Sequence, residues 1–220
     1  MSTAGLRRAA LLLGACALIA IGALTLVERL TRERIAEARA AAERAALAAV
    51  LPPARYDNDP IADSVWVRAP QWLGREAPAR IWRGRLGDRP SALAMETTAP
   101  DGYSGAIELL LGVDAAGTVI AARVTRHAET PGLGDPIERE RSDWIEGFNG
   151  RGLADTPQQR WTVRREGGDF DSFSGATVTP RAVARGLGRT LAFLQRHGEA
   201  IWAAEPGARL SFEDAPDALD

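Results

Sequence analysis

Residues 107–125 read Ile-Glu-Leu-Leu-Leu-Gly-Val-Asp-Ala-Ala-Gly-Thr-Val-Ile-Ala-Ala-Arg-Val-Thr. Ile107–Val113 and Thr118–Thr125 are strand-like runs, and Asp114-Ala115-Ala116-Gly117 between them is a hairpin turn signal. Upstream, short apolar runs at Val65–Val67, Ala79–Trp82 and Ala92–Met95, broken by Pro and Gly, predict short strands separated by turns. Trp66, Trp72 and Trp82 in this stretch are read as packing residues. Downstream, Ser142 is placed to cap a short helix through Phe148, and Trp161–Arg165 reads as one more strand. Thr179-Pro180 then opens a helix in which Val183, Leu187, Leu191 and Leu194 recur at three- to four-residue spacing. Strands followed by a closing helix make the expected fold class α+β.

The amino-terminal end is different. Ala9–Val27 is a run of nineteen uncharged residues. At about 1.5 Å per residue it spans roughly 28 Å, close to the hydrocarbon thickness of about 30 Å. Arg7 and Arg8 precede it, and Glu28, Arg29, Arg32, Glu33 and Arg34 end it. A cleaved signal peptide would have a shorter apolar stretch. Leu13-Gly14-Ala15-Cys16 has the look of a lipoprotein box, yet only Ala9–Leu13 would remain as its apolar core. The reading adopted is an uncleaved transmembrane helix at 9–27, with a tail at 1–8 and a juxtamembrane helix at 28–52 that Pro52-Pro53 stops. Arginine counts on the two sides of the span nearly tie. The short tail and the large domain behind the span favour a cytoplasmic tail and an exported domain. Residues 53–98 form the first part of that domain, and 201–220 an acidic flexible tail.

Composition narrows the function. The chain has 220 residues and a net charge of −2, but residues 51–220 alone carry twenty Arg against twenty-five acids. A body of that charge is not built to grip phosphate backbones, so no nucleic-acid partner is expected. One cysteine, Cys16, excludes a disulfide framework or a multi-cysteine metal site carried by this chain alone.

Two segments carry chemistry. Asp171-Ser172-Phe173-Ser174-Gly175-Ala176-Thr177-Val178-Thr179-Pro180 is a small-residue, hydroxyl-rich turn running into a helix start. Unpaired N–H groups and the positive end of the helix dipole suit such a place to an anion or phosphate, though a capped turn accounts for the same residues. The second is His127-Ala128-Glu129-Thr130-Pro131-Gly132-Leu133-Gly134-Asp135, directly after a strand. His127 and Glu129 without a third ligand make a weak metal site, and Gly132-x-Gly134 lacks the rest of a dinucleotide fingerprint.

Taken in order, Ala99-Pro100-Asp101-Gly102-Tyr103-Ser104-Gly105-Ala106-Ile107, His127–Asp135, and Gly167-Gly168-Asp169-Phe170-Asp171 leading into Ser174-Gly175-Ala176-Thr177 resemble the G subunit of the Rnf electron-transport complex, also called Rsx. Leu51-Pro52, Arg55-Tyr56 and the single anchor look similar too. The resemblance covers nearly the whole chain, most strongly 97–187. It implies an FMN-binding domain over 99–200 with the flavin held covalently. The family motif Asp-x-x-Ser/Thr-Gly-Ala-Thr is met by Asp171, Ser174, Gly175 and Ala176, with Thr177 esterified through its hydroxyl to the FMN phosphate. That makes the chain a phosphoprotein in the phosphoester sense. A separate flavin transferase would form the bond from FAD, with magnesium.

Thr179 at the helix start and Glu129, Thr130, Gly132 and Leu133 are the other contacts expected for the flavin. No residue of the chain is expected to be catalytic and none to hold a resident metal. The function implied is a single-pass flavoprotein subunit in the bacterial inner membrane. Its periplasmic domain would relay electrons among the other subunits of a complex that couples electron transfer to ion translocation. The alternatives are the related C subunit of a sodium-pumping quinone reductase, whose chains are longer, and a membrane-tethered binding module without flavin.

Overall fold

The computed structural model describes residues 3–216; the first two residues of the expected 1–8 tail and the last four of the 201–220 tail lie outside the described residues. The chain divides into two units, residues 1–46 and 47–220.

The first unit is nearly all of helix α1 (Thr3–Ala48). The helix passes the expected boundary at residue 28 without a break, because Ala, Glu and Arg are all strong helix formers and no Pro intervenes. Arg32 Nη2 donates to Glu28 Oε1 one turn away, at 2.6 Å. Leu12, Leu18 and Leu24 are 68–74% exposed. Leu12–Ala48 is long and apolar enough to cross a bilayer.

In the second unit, six strands form one mixed sheet: β1 (Ser64–Arg68), β2 (Ala79–Leu86), β3 (Arg89–Ala99), β4 (Ile107–Asp114), β5 (Val119–Arg126) and β6 (Arg209–Ser211), in the order β5-β4-β3-β2-β1-β6. Neighbours are antiparallel except β1 and β6. A one-turn helix α2 (Pro70–Leu73) follows β1, and the long helix α3 (Val178–Ala203) crosses the sheet. Side chains alternate between faces, as a strand requires. Leu93 and Met95 join the core under α3, while Ala92 and Ala94 face a second cluster closed by Leu47, Val50 and Leu51. Val183, Leu187, Leu191 and Leu194 all point into the core, as their spacing predicts. Trp72 packs on Phe193, and the Arg80 guanidinium lies over the rings of Trp66 and Trp82.

Three expectations need correction. The short runs at 79–82 and 92–95 are parts of one long hairpin. Arginines at 83, 85 and 89 hide its alternation, and Pro90 is tolerated beside a register shift at Gly84/Arg85. Trp161–Arg165 is no strand. Val163 makes one isolated bridge to Phe170, and a 3-10 turn occupies Arg164–Glu166. The chain doubles back so tightly that Gly168 lies against the Thr162 carbonyl. Last, the segment read as a flexible tail contains β6. Trp66 N donates to Ala208 O and Phe212 N to Arg68 O, each at 2.8 Å, and Leu210 and Phe212 pack on the core.

One buried charge ties the sheet to the far end of α3. Arg83 on β2 is fully buried and ion-paired with Asp63. Its Nη1 donates to the carbonyls of Ile201 (2.8 Å) and Ala204 (2.6 Å). These are last-turn acceptors that a helix end leaves open, and a cation there also meets the negative end of the dipole.

Gly188 sets how closely α3 approaches the core. A Cβ there would stand 2.5 Å from Cβ of Trp161 and 2.8 Å from its Cγ. Trp161 is itself buried and cannot yield, so Gly188→Ala is expected to destabilise by about 1–3 kcal/mol. Thermal melting of the full chain in detergent measures this; an unchanged midpoint would contradict it.

Candidate functional site

The two segments singled out for chemistry meet at the start of α3. Each is shaped by a turn that needs glycine at its third position. Thr130-Pro131-Gly132-Leu133 closes with Leu133 N donating to Thr130 O at 3.1 Å and with Gly132 at φ +78°. Phe173-Ser174-Gly175-Ala176 closes with Ala176 N donating to Phe173 O at 3.2 Å and with Gly175 at φ +81°. Both are turns in which the third residue has positive φ, and Pro131 pre-sets the second position of the former.

The turns are fastened together by Glu129, which is 6% exposed. One carboxylate oxygen accepts the Ser104 N–H at 3.0 Å, and the other accepts the Thr179 hydroxyl in a short hydrogen bond. Gly134 makes room for this, since a Cβ there would lie 2.7 Å from Glu129 Oε2 and 3.1 Å from Thr179 Oγ1. His127 supports the loop. Its Nδ1 accepts the Glu129 N–H at 3.0 Å, which leaves Nε2 to donate to Glu138 at 2.6 Å. His127 is thereby fully used in holding the loop.

Between the turns lies a cavity of 210 Å³, lined by Tyr103, Glu129, Thr130, Leu133, Gly134, Gly175, Ala176, Thr177, Val178 and Thr179. Seven of the expected site residues therefore meet: Glu129, Thr130, Leu133, Gly175, Ala176, Thr177 and Thr179. Three expected contacts stand outside the lining. Asp171 is exposed, ion-paired with Arg164 at 3.1 Å, and its carbonyl accepts the Trp144 Nε1–H at 2.8 Å. Ser174 and Gly132 are exposed corners of the two turns. Sequence reading missed Tyr103 as a lining residue, although it lies within the Ala99–Ile107 motif; nothing in that motif announced that the loop would fold against the helix start. Thr179 was also expected to open α3. Instead the helix begins at Val178, and the Thr179 hydroxyl is committed to Glu129.

Thr177 holds the N-cap position with backbone angles already helical, and its side chain makes no capping hydrogen bond. A hydroxyl without a hydrogen-bond partner among the described residues stands at the N-cap of a 26-residue helix, beside the unpaired N–H groups and positive dipole end that favour a phosphate. The residues present thus fit a phosphate ester at Thr177. Below the cavity, Arg181 and Arg185 on α3 donate to Glu166 at 2.8 and 3.0 Å. The Arg181 hydrogen bond foremost, helped by Thr162 and opposed by burial, holds the Glu166 carboxyl below its ordinary 4.5. The folded chain keeps Glu166 ionised at a pH where the unfolded chain protonates it. Its contribution is therefore complete above pH 4.5 and is lost as the pH falls further. Glu166→Gln should therefore lower stability at neutral pH, where the contribution is complete, and flatten its fall below pH 4.5, so that variant and parent converge in acid; an unchanged acid limb would contradict the assignment.

Comparison with known proteins agrees with this geometry. The chain matches the RnfG N-terminal region over residues 1–50 and the FMN-binding domain over residues 102–192. It is 47% identical over 201 residues to the G subunit of the ion-translocating oxidoreductase complex of Pseudomonas aeruginosa, covering 91% of this chain and 94% of that one. The like-named proteins of Photorhabdus laumondii (44% identical; 91% and 95% covered) and Shewanella amazonensis (41%; 89% and 91%) are similar along nearly their whole length as well. With an RnfG amino-terminal region, an FMN-binding domain and these relatives all of one kind, the chain belongs to the family of G subunits of ion-translocating oxidoreductase complexes.

Proposed function

We propose that the chain is a membrane-anchored flavoprotein subunit of an Rnf-type ion-translocating complex and relays electrons through an FMN esterified to Thr177. In this reading α1 anchors it in the bacterial inner membrane and the folded domain stands on the periplasmic side. Its partners are the other subunits of the complex, and a flavin transferase matures it. The observation that carries the reading is the free hydroxyl of Thr177, at a helix start, on the wall of a cavity shared with the Glu129–Gly134 loop.

Bound FMN supplies the one- and two-electron chemistry that side chains lack. The chain's own residues do the holding. Thr177 tethers, the first turn of α3 balances the phosphate charge, and Glu129 with Thr179 keeps the loop against the helix. Tyr103 and Leu133, 72% and 49% exposed, flank the opening. Pockets that enclose a small molecule measure about 300–1,000 Å³. This one, at 210 Å³, covers a flavin only in part, which suits a carrier that hands electrons to a neighbour and has no substrate pocket of its own.

The test is the intact mass of the full chain made with and without a flavin transferase, with in-gel fluorescence after denaturation. A mass gain of one FMN less water, dependent on the transferase, is the expected result. An unmodified mass despite an active transferase would leave a tethered binding module as the better account.

A further inference from the structure

Arg181, Arg185 and Arg189 recur every four residues on α3 and so share one face. The first two are paired with Glu166. The third is not: Arg189 Nε and Nη2 are buried and have no hydrogen-bond partner among the described residues, and the guanidinium sits where Gly74, lacking a side chain, leaves space. Arg189 lines a cleft of 390 Å³ together with Asp101, Gln158, Trp161, Glu166 and Arg185. A second donor there is in the same condition, for Gln158 Nε2 is also buried and unpartnered among the described residues. A buried donor without an acceptor costs about 1–3 kcal/mol, and a charged one more. Two residues of one cleft thus hold three orphaned donor atoms. The cost shows on Arg189 itself, whose guanidinium burial drives below its ordinary range, against the pull of the Asp101 charge.

We infer that this cleft binds a carboxylate, with Arg189 Nε and Nη2 gripping its two oxygens and the Gln158 amide donating to one of them. Nε and Nη2 form one edge of the guanidinium fork, the edge whose spacing matches a carboxylate. The acidic groups at the rim decide the charge of the ligand. Glu166 is neutralised by Arg181 and Arg185, but Asp101 makes no such pair among the described residues and repels a dianion such as phosphate more than a monoanion. Gln158, half-buried at the rim, is the long side chain that rotates to admit the ligand. The volume exceeds what a lone carboxylate needs, so the group arrives on a larger body, either a free organic acid or an acidic side chain of a neighbouring polypeptide.

The test titrates the full-length chain in detergent with propionate and with N-acetyl-glutamate α-amide, at constant ionic strength in chloride, by calorimetry. Saturable binding is expected, at least tenfold weaker in Arg189→Met, weaker in Gln158→Leu and tighter in Asp101→Asn. Gln158→Leu changes a half-buried side chain at the rim and keeps the test open if Arg189→Met misfolds. Absence of saturation, or equal binding in the variants, would mean that the orphaned donors meet only water and would overturn the site. Phosphate binding more tightly than propionate would overturn the choice of carboxylate. Repeating the titration on the assembled complex separates the two sources: a blocked cleft means a neighbour's side chain fills it, and an open one means a free acid does. No step uses the flavin, so failure here leaves the flavin reading untouched, and the reverse.

Discussion

Thr177→Ala, made alongside an active flavin transferase, will run as a colourless, non-fluorescent band with the mass of the bare polypeptide. The loss is expected to be complete, because the nearby hydroxyls cannot take over. Thr179 is buried and donates to Glu129, and Ser174 stands on the outer corner of its turn, away from the cavity lining. Thr177→Ser should keep the attachment, since it keeps the hydroxyl. Stability separates a chemical loss from a structural one. An N-cap that hydrogen-bonds its helix costs about 0.5–2 kcal/mol to remove, but Thr177 makes no such bond. Thr177→Ala should therefore melt within about 0.5 kcal/mol of the parent, as a surface change does. A variant that remains modified would move the attachment point elsewhere.

Arg83→Met will strongly destabilise the folded domain. The side chain has no exposed surface. Removing it takes from the half-buried Asp63 carboxylate one of its two arginines, leaving Arg85, and takes the donor from the carbonyls of Ile201 and Ala204. Breaking a buried ion pair by deleting one partner costs about 3–5 kcal/mol. For a domain of this size that is a fall in melting temperature of about 6–20 °C. Arg83→Lys keeps the charge but loses the fork that reaches Asp63 and the helix end together, so it should fall in between. Melting of the full chain in detergent reads the effect, and a drop of under about 3 °C for Arg83→Met would show that the helix end holds without it.

How far these features could be read from the chain depends on how local their causes are. The β4–β5 hairpin and the buried face of α3 follow from patterns within twenty residues, and both were legible. The β2–β3 hairpin was legible only in fragments, since Arg83 and Arg85 occupy strand positions and are satisfied by Asp63 and by carbonyls near the end of α3. That compensation is invisible until the fold is complete. β6 was hidden by its acidic, Pro-containing surroundings; its order comes from pairing with β1, more than 140 residues earlier in the chain. At the candidate site, composition alone left Ser174–Thr177 as a capped turn, and the resemblance singled out Thr177. The link between Glu129 and Thr179 could be read from neither, because it requires Gly134 to lie against both side chains at once.

That link has a consequence for the order in which the molecule is made. Glu129 and Thr179 are fifty residues apart, and they meet only after the helix has docked on the sheet. An unfolded chain contains every residue of the cavity and no cavity. On the proposed reading, a flavin would find its pocket only on a finished domain, and a misfolded copy would offer Thr177 with no pocket around it.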